Sequence, residues 1–202
     1  MVQNVLDIAQ KVQRWVIVAF TTVPFQYRKK RLNILRRLFV VTNEYMKSTG
    51  ATYWIDYGTL LGQYREKDII SHDMDIDYGV HEDEFEKIWS QRHKLPKGFK
   101  LYNTSFRHRG PKLYFNYKGF DADIYFYEAK NGTLTSYENS NYQSEKTPYP
   151  KDLALPTQKA QFLGEETFVP AQPKEYLKHI YHYLGQNGKR DLSTGYWYEI
   201  KN

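Results

Sequence analysis

An α+β (mixed α/β) domain built on one small sheet is the architecture this chain predicts. Three observations lead there. Helical spacing of apolar residues marks 2–20 and 30–48, a strand–helix–strand–helix alternation follows over 52–92, and three strand-like runs crowd into 99–127. A length of 202 residues suits one domain, at 30–202, with an N-terminal helical extension at 1–29.

The elements justify themselves in order. Val2, Val5, Leu6, Ala9, Val12, Val16 and Ala19 step by threes and fours, which is helical. The apolar stretch from Trp15 to Phe20 is diluted by Thr21 and Thr22 and interrupted by Pro24, well short of the roughly 20 residues that span a bilayer. No small-residue cleavage site follows it, so a signal peptide is not expected. The cations Arg28, Lys29, Lys30 and Arg31 come next. Such a helix with such a run suits either peripheral contact with an anionic membrane or, as the preferred reading, packing on the domain with a solvated charge run.

A second helix is expected over 30–48, with Leu35, Leu38, Phe39, Thr42, Tyr45 and Met46 on one face and Gly50 as its stop. Residues 52–57 read as a strand, 60–65 as a short helix and 75–80 as a strand with period two. Residues 82–92 form a helix with Phe85, Ile88 and Trp89 inward. Strands follow near 99–107, 112–118 and 120–127, and Asn131-Gly132 marks a hairpin. Residues 137–160 are polar and irregular, 166–169 is a short strand, 173–184 a helix, and the tail from Gly185 is rich in glycine and tyrosine.

Composition narrows the chemistry. Hydrophobic residues make up 41% and charged residues 26%, a globular balance. With no cysteine, the chain offers no disulfide, thiolate metal site, iron–sulfur cluster or thiol nucleophile. The net charge of +6 is compatible with anionic partners and equally with none. No RNA-binding motif or dense Arg/Lys stripe is present, so no specific nucleic acid is expected.

The sharpest chemical feature is Asp73-Met74-Asp75-Ile76-Asp77. On a strand, Asp75 and Asp77 stand side by side on one face, with Asp73 just before them, while Ile76, Tyr78 and Val80 point to the other. Like charges this close need a cation, and hard oxygen ligands suit Mg²⁺ or Mn²⁺. A solvated acidic strand end is the plain alternative. A calcium loop fits poorly, because Tyr78 stands where the sharp turn wants glycine. A third carboxylate is expected from Asp123, at the start of an apolar strand where burial without a cation or hydrogen bonds is costly, with Asp121 as fallback. Gly58-Thr59 opens a helix after a strand, where free N–H groups can hold a phosphate.

These residues carry a resemblance. Gly58, Thr59, Leu60, Leu61, Gly62 and Arg65, followed by Ile70, Asp73, Asp75 and Asp77, resemble the signature of the LicD family, which includes fukutin and fukutin-related protein. Asp123 to Tyr127 resembles the family's later Asp-Ile-x-x-Tyr strand. Phe168-Val169-Pro170 with Tyr176, Leu177 and Tyr181 resembles its C-terminal segment. Two positions depart: Ser71-His72 replaces the usual Pro-Trp, and Tyr181-His182 replaces Tyr-Gly.

The resemblance implies a nucleotidyltransferase-like fold, akin to DNA polymerase beta, with a small mixed sheet flanked by helices. It implies Mg²⁺ (or Mn²⁺)-dependent transfer of a phospho-alcohol from a CDP-linked small alcohol, such as CDP-choline or a CDP-polyol, to a hydroxyl of a glycan or glycolipid acceptor. Asp75 and Asp77 would bind metal, Asp123 would complete a second ion and take a proton, and Asp73 would be a ligand or orienting group. Gly58, Thr59, Arg65 and His72 would bind substrate. Arg107, His108, Arg109 and Lys112 are further candidates for phosphate contact, and Tyr114, Tyr125 and Tyr127 for stacking. A nucleotidyltransferase acting on nucleic acid or a small molecule, and a non-catalytic glycan-binding relative, are the competing functions. Relatives of bacterial type work in the cytoplasm and animal relatives in the Golgi; a cytoplasmic or membrane-surface place is the favoured expectation here, with a Golgi-type lumen as the alternative.

Overall fold

The computed structural model describes residues 25–138, 140–146 and 148–201. The helix expected over 2–20, its possible membrane contact and most of the 1–29 extension lie outside the described residues. Among the described residues no helix is long and apolar enough to cross a membrane.

Helix α1 spans Phe25–Thr49 and so begins within the stretch assigned to the extension. Its expected face is its buried face: Leu35, Leu38, Phe39, Thr42 and Met46 are fully buried and Tyr45 nearly so. Gly50 ends it at φ +71°, the left-handed value that glycine takes without a Cβ penalty. Thr42 Oγ1 lies 2.9 Å from the Tyr78 hydroxyl, so this polar group is satisfied inside the core. The basic run divides. Arg28, Lys29 and Lys30 are exposed, whereas Arg31 is buried and donates to the Ser71 carbonyl and to Met74 Sδ. The expectation of a wholly solvated run is therefore corrected at Arg31, which α1 turns toward the loop carrying the aspartates.

Strand β1 (Tyr53–Ile55) leads through Asp56 into α2 (Tyr57–Arg65), and β2 (Ile76–His81) returns antiparallel to β1. A short α3 (Phe85–Trp89), flanked by 3₁₀ turns, stands where a helix over 82–92 was expected, with Ile88 as its fully buried anchor. Then come β3 (Phe99–Asn103), β4 (Lys112–Tyr117), β5 (Phe120–Lys130) and β6 (Thr133–Ser136). The β5–β6 hairpin turns through Asn131 and Gly132, both at positive φ, as the Asn-Gly signal requires.

Among the described residues the main sheet has seven strands, ordered β1-β2-β5-β4-β3, with β6 extending from β5 and β7 (Tyr149–Pro150) from β6. Its one parallel pairing joins β2 to β5, and the other pairs are antiparallel. The crossover between the parallel strands runs through α3, β3 and β4. Ile76, Tyr78 and Val80 are fully buried, as period two predicted. They and Ile124 share a single apolar core with the buried face of α1; a large aliphatic or aromatic side chain taken from water in this way contributes about 1.5–3 kcal/mol. Gly79 lets the sheet and the Trp54 indole meet: a Cβ there would lie 2.3 Å from Trp54 Cε2.

The segment expected to be irregular holds short elements: α4 (Gln143–Lys146), β7, α5 (Lys151–Ala154) and the start of β8 (Gln158–Phe162). Strand β8 pairs with β9 (Glu165–Val169) in a separate hairpin. Helix α6 (Pro173–Tyr181) opens on proline at its first turn, and the tail forms a hairpin of β10 (Gly188–Arg190) and β11 (Trp197–Glu199).

Candidate active site

The site is built where β1 ends, α2 begins and β2 runs alongside. Asp56 caps α2: its Oδ1 accepts from the Tyr57 amide at 2.8 Å. The same carboxylate is fully buried and also accepts from the Tyr127 hydroxyl at 2.6 Å and the Tyr176 hydroxyl at 2.9 Å. Tyr176 in turn receives the Trp54 indole N–H at 3.1 Å and lies 2.8 Å from the Tyr149 hydroxyl. Burial pushes the Asp56 carboxyl up to about 6 despite these donors. Tyr57 follows at φ +40°, a backbone conformation that costs a side-chain-bearing residue about 1–3 kcal/mol and clusters at functional sites.

Two main-chain bonds fix Asp77 to this junction. Asp56 N–H donates to the Asp77 carbonyl at 2.9 Å, and the Asp77 N–H donates to Thr59 Oγ1 at 2.9 Å. Thr59, expected at a substrate phosphate, is 3% exposed and braces the carboxylate strand from behind. Gly58 faces the acidic loop: a Cβ there would lie 3.0 Å from Asp73 Oδ2.

The carboxylates assemble from two strands. Asp77 on β2 stands directly opposite Asp123 on β5 in the parallel register, so both project from one face of the sheet. Asp75 immediately precedes β2, and Asp73 lies two residues before it. Burial, then Asp75 and Asp123, pushes the Asp77 carboxyl well above the ordinary range. Burial, then Asp75, raises Asp73 to about 7. An all-oxygen, anionic donor set that repels itself is relieved by a hard divalent cation, so Asp73, Asp75 and Asp77 fit Mg²⁺ or Mn²⁺ chemically. Among the described residues no three carboxylate or imidazole groups already close on a common point. Asp123 is instead engaged by Lys112, whose Nζ lies 3.3 Å from Asp123 Oδ1 and 3.1 Å from Glu138 Oε2.

Asp73, Asp75 and Asp77 line a cleft of about 820 Å³ together with Tyr57, Gly58, Arg65, His72 and Tyr125. Glu138, Tyr142, Glu145, Tyr183, Arg190 and Trp197 complete its lining. Arg190 pairs with Glu145 at 2.8 Å and stacks 3.9 Å over Tyr142, which fastens the C-terminal hairpin to the segment around α4.

Sequence-predicted residues fall into two groups. Gly58, Arg65, His72, Asp73, Asp75 and Asp77 all line the cleft, and Asp123 is one strand away in register. The Arg65 Nε–H is buried with no partner among the described residues, while its Nη2 reaches Glu66 at 2.6 Å. The basic segment divides, with Arg107 and Arg109 exposed and Lys112 buried. Arg109 donates to the Ser136 carbonyl, Arg107 covers Phe106, His108 lies 3.6 Å from Glu138, and Lys112 is committed as above. Of the tyrosines, Tyr125 is in the cleft, Tyr127 is spent on Asp56, and Tyr114 stacks on Tyr102. Asp56, Arg31 and Arg190 were missed. A capping position before Gly-Thr was a readable signal for Asp56; the other two depend on long-range contacts.

The family model described as "LicD/FKTN/FKRP, nucleotidyltransferase domain" matches residues 50–172, which contain both carboxylate strands. The chain belongs to the LicD family. Similar curated relatives are two uncharacterized Rickettsia proteins. One, from Rickettsia typhi, is 29% identical over 160 residues, covering 78% of this chain and 48% of the relative. The other, from Rickettsia prowazekii, is 46% identical over 57 residues, covering 28% and 21%. The chain thus spans half or less of the length of these relatives. A solved lincosamide antibiotic adenylyltransferase, lincomycin-bound, aligns over 71% of this chain and 93% of its own at 15% identity, with a TM-score of 0.40. The matched segment carries the Gly58 turn and the Asp77–Asp123 register.

Proposed function

We propose that this LicD-family domain has a nucleotidyltransferase-type fold and catalyses Mg²⁺-dependent transfer of a phospho-alcohol from a CDP-linked donor to a hydroxyl of a glycan or glycolipid. The observation that carries the reading is the register of Asp77 against Asp123, on one sheet face beside the Gly58 turn. In this reading Asp75 and Asp77 hold Mg²⁺, with Asp73 next to them. The bound ion supplies charge neutralisation of the donor diphosphate. Gly58 lets the donor approach the first turn of α2, and the guanidinium of Arg65, which lines the cleft, is a donor for a phosphate oxygen. His72, exposed at the rim, contacts the phosphate or the acceptor.

The acceptor oxygen attacks the phosphorus that bears the alcohol. The bond from that phosphorus to the CMP oxygen breaks, CMP leaves, and the hydroxyl proton passes to Asp123. Binding is tested by thermal unfolding with millimolar Mg²⁺ or Mn²⁺ and a panel of CDP-alcohols. CDP-choline or CMP raises the melting temperature, and Asp75→Ala or Asp77→Ala abolishes the shift. No shift with any cytidine nucleotide eliminates the donor assignment. Turnover that releases the phospho-alcohol from a CDP-alcohol, or diphosphate from a nucleoside triphosphate, rather than CMP would favour nucleotidyl transfer.

A further inference from the structure

The Lys112 side chain is 7% exposed, with its Nζ between Asp123 Oδ1 at 3.3 Å and Glu138 Oε2 at 3.1 Å, and 3.4 Å from the centre of the Tyr125 ring. A buried ammonium is costly unless fully compensated, and this one is compensated twice by carboxylates and once by a π face. It reaches across three elements: β4 supplies the lysine, β5 supplies Asp123 and Tyr125, and the cleft wall after β6 supplies Glu138. This is a built cation seat, and the cation is part of the chain.

Asp123 is also the carboxylate that would complete a second metal ion in a two-ion site. A divalent ion on that carboxylate would meet the Lys112 charge at short range in a partly buried setting, where like charges repel strongly. We infer that Lys112 takes the place of a second divalent ion, so that the site binds one Mg²⁺ or Mn²⁺ per chain, on the Asp75–Asp77 side. The inference rests on the metal-dependent reading above. In it, the ammonium supplies fixed positive charge beside Asp123. It also ties that carboxylate to Glu138, which lines the cleft. Asp121, on the same strand, is held by Asn116 Nδ2 at 2.7 Å.

Counting ions tests this directly. Mn²⁺ is titrated into the full chain with CDP-choline present, and free Mn²⁺ is followed by electron paramagnetic resonance. The wild type is expected to bind one Mn²⁺ per chain and Lys112→Arg also one, whereas Lys112→Gln gains a second. Two ions on the wild type overturn the inference while leaving the proposed reaction standing. One ion on a folded Lys112→Gln chain also overturns it. No Mn²⁺ on the wild type overturns it together with the metal-dependent reaction. The wild-type count holds its meaning even if Lys112→Gln does not fold.

Discussion

The main-chain amide of Asp77 donates to the Thr59 hydroxyl at 2.9 Å, so the turn that opens α2 also sets the position of the central carboxylate. Asp56, three residues before Thr59, donates its own amide to the Asp77 carbonyl at 2.9 Å. One local stretch therefore clamps both sides of a single residue's backbone. The glycine-threonine turn and the aspartate strand form one unit, although 16 residues separate Thr59 from Asp75 in the chain.

Thr59→Val keeps the shape of the side chain and removes the acceptor. The Asp77 amide is then buried without a partner, at a cost of about 1–3 kcal/mol. Mn²⁺ affinity should fall with it, because Asp77 loses its brace. Thr59→Ser restores both. Chemical denaturation and Mn²⁺ titration check the pair, and a valine variant with unaltered stability would show the bond to be dispensable.

Asp56→Ala leaves the Tyr57 amide and two tyrosine hydroxyls without their acceptor. The expected loss is about 2–4 kcal/mol, or on the order of 10 °C in melting temperature for a chain of this size. Asp56→Asn keeps one carbonyl oxygen in place and should lose about 1–2 kcal/mol. The order Ala below Asn below wild type in thermal unfolding is the outcome that matters.

His182 occupies φ +67°, ψ −64°, closing a tight turn in which the Tyr183 amide donates to the Tyr181 carbonyl at 2.9 Å. That conformation is strained for a residue with a side chain. It falls where the LicD pattern carries glycine. His182→Gly relieves the strain but gives up the His182 Nδ1 contact to the Trp197 carbonyl at 3.3 Å. A net gain of about 0.5–1 kcal/mol is expected, against the entropy cost of glycine. His182→Ala, which keeps the strain, should show no gain.

The pH dependence follows from two carboxyls. Burial raises Asp56 to about 6, and burial with Asp75 raises Asp73 to about 7, both from an ordinary value of 3.8. Folded-state values above the unfolded ones mean that the folded chain holds these protons more tightly. Their contribution to stability is complete below about pH 4 and is lost as pH rises through 6 and 7. The metal-free melting temperature of the wild type should therefore fall more between pH 5 and pH 7.5 than that of Asp73→Asn, by on the order of 5 °C. Equal slopes for the two proteins would show that Asp73 titrates normally.

Much of the domain is legible because periodicity is a local property. The buried face of α1, the buried Ile76, Tyr78 and Val80 of β2 and the Asn131-Gly132 turn are each set within a few residues. The elements missed were those with weak local signals. Strand β8 is mostly polar and finds its place only by pairing with β9, and the β10–β11 hairpin is short and largely exposed. The site divides the same way. The aspartates and Gly58 announce themselves by spacing, whereas Arg31 looks solvated in the sequence and becomes buried only because α1 packs against the loop at 71–74.

By itself the sequence determined the secondary-structure skeleton, the LicD signature and the set of carboxylates, because each is written in residues near one another along the chain. Only the tertiary structure decided that Asp123 stands in register with Asp77, that Thr59 faces inward as a brace, and that Lys112 lies between Asp123 and Glu138. Those relations join strands that are distant in sequence, and sheet register and burial are properties of the assembled core.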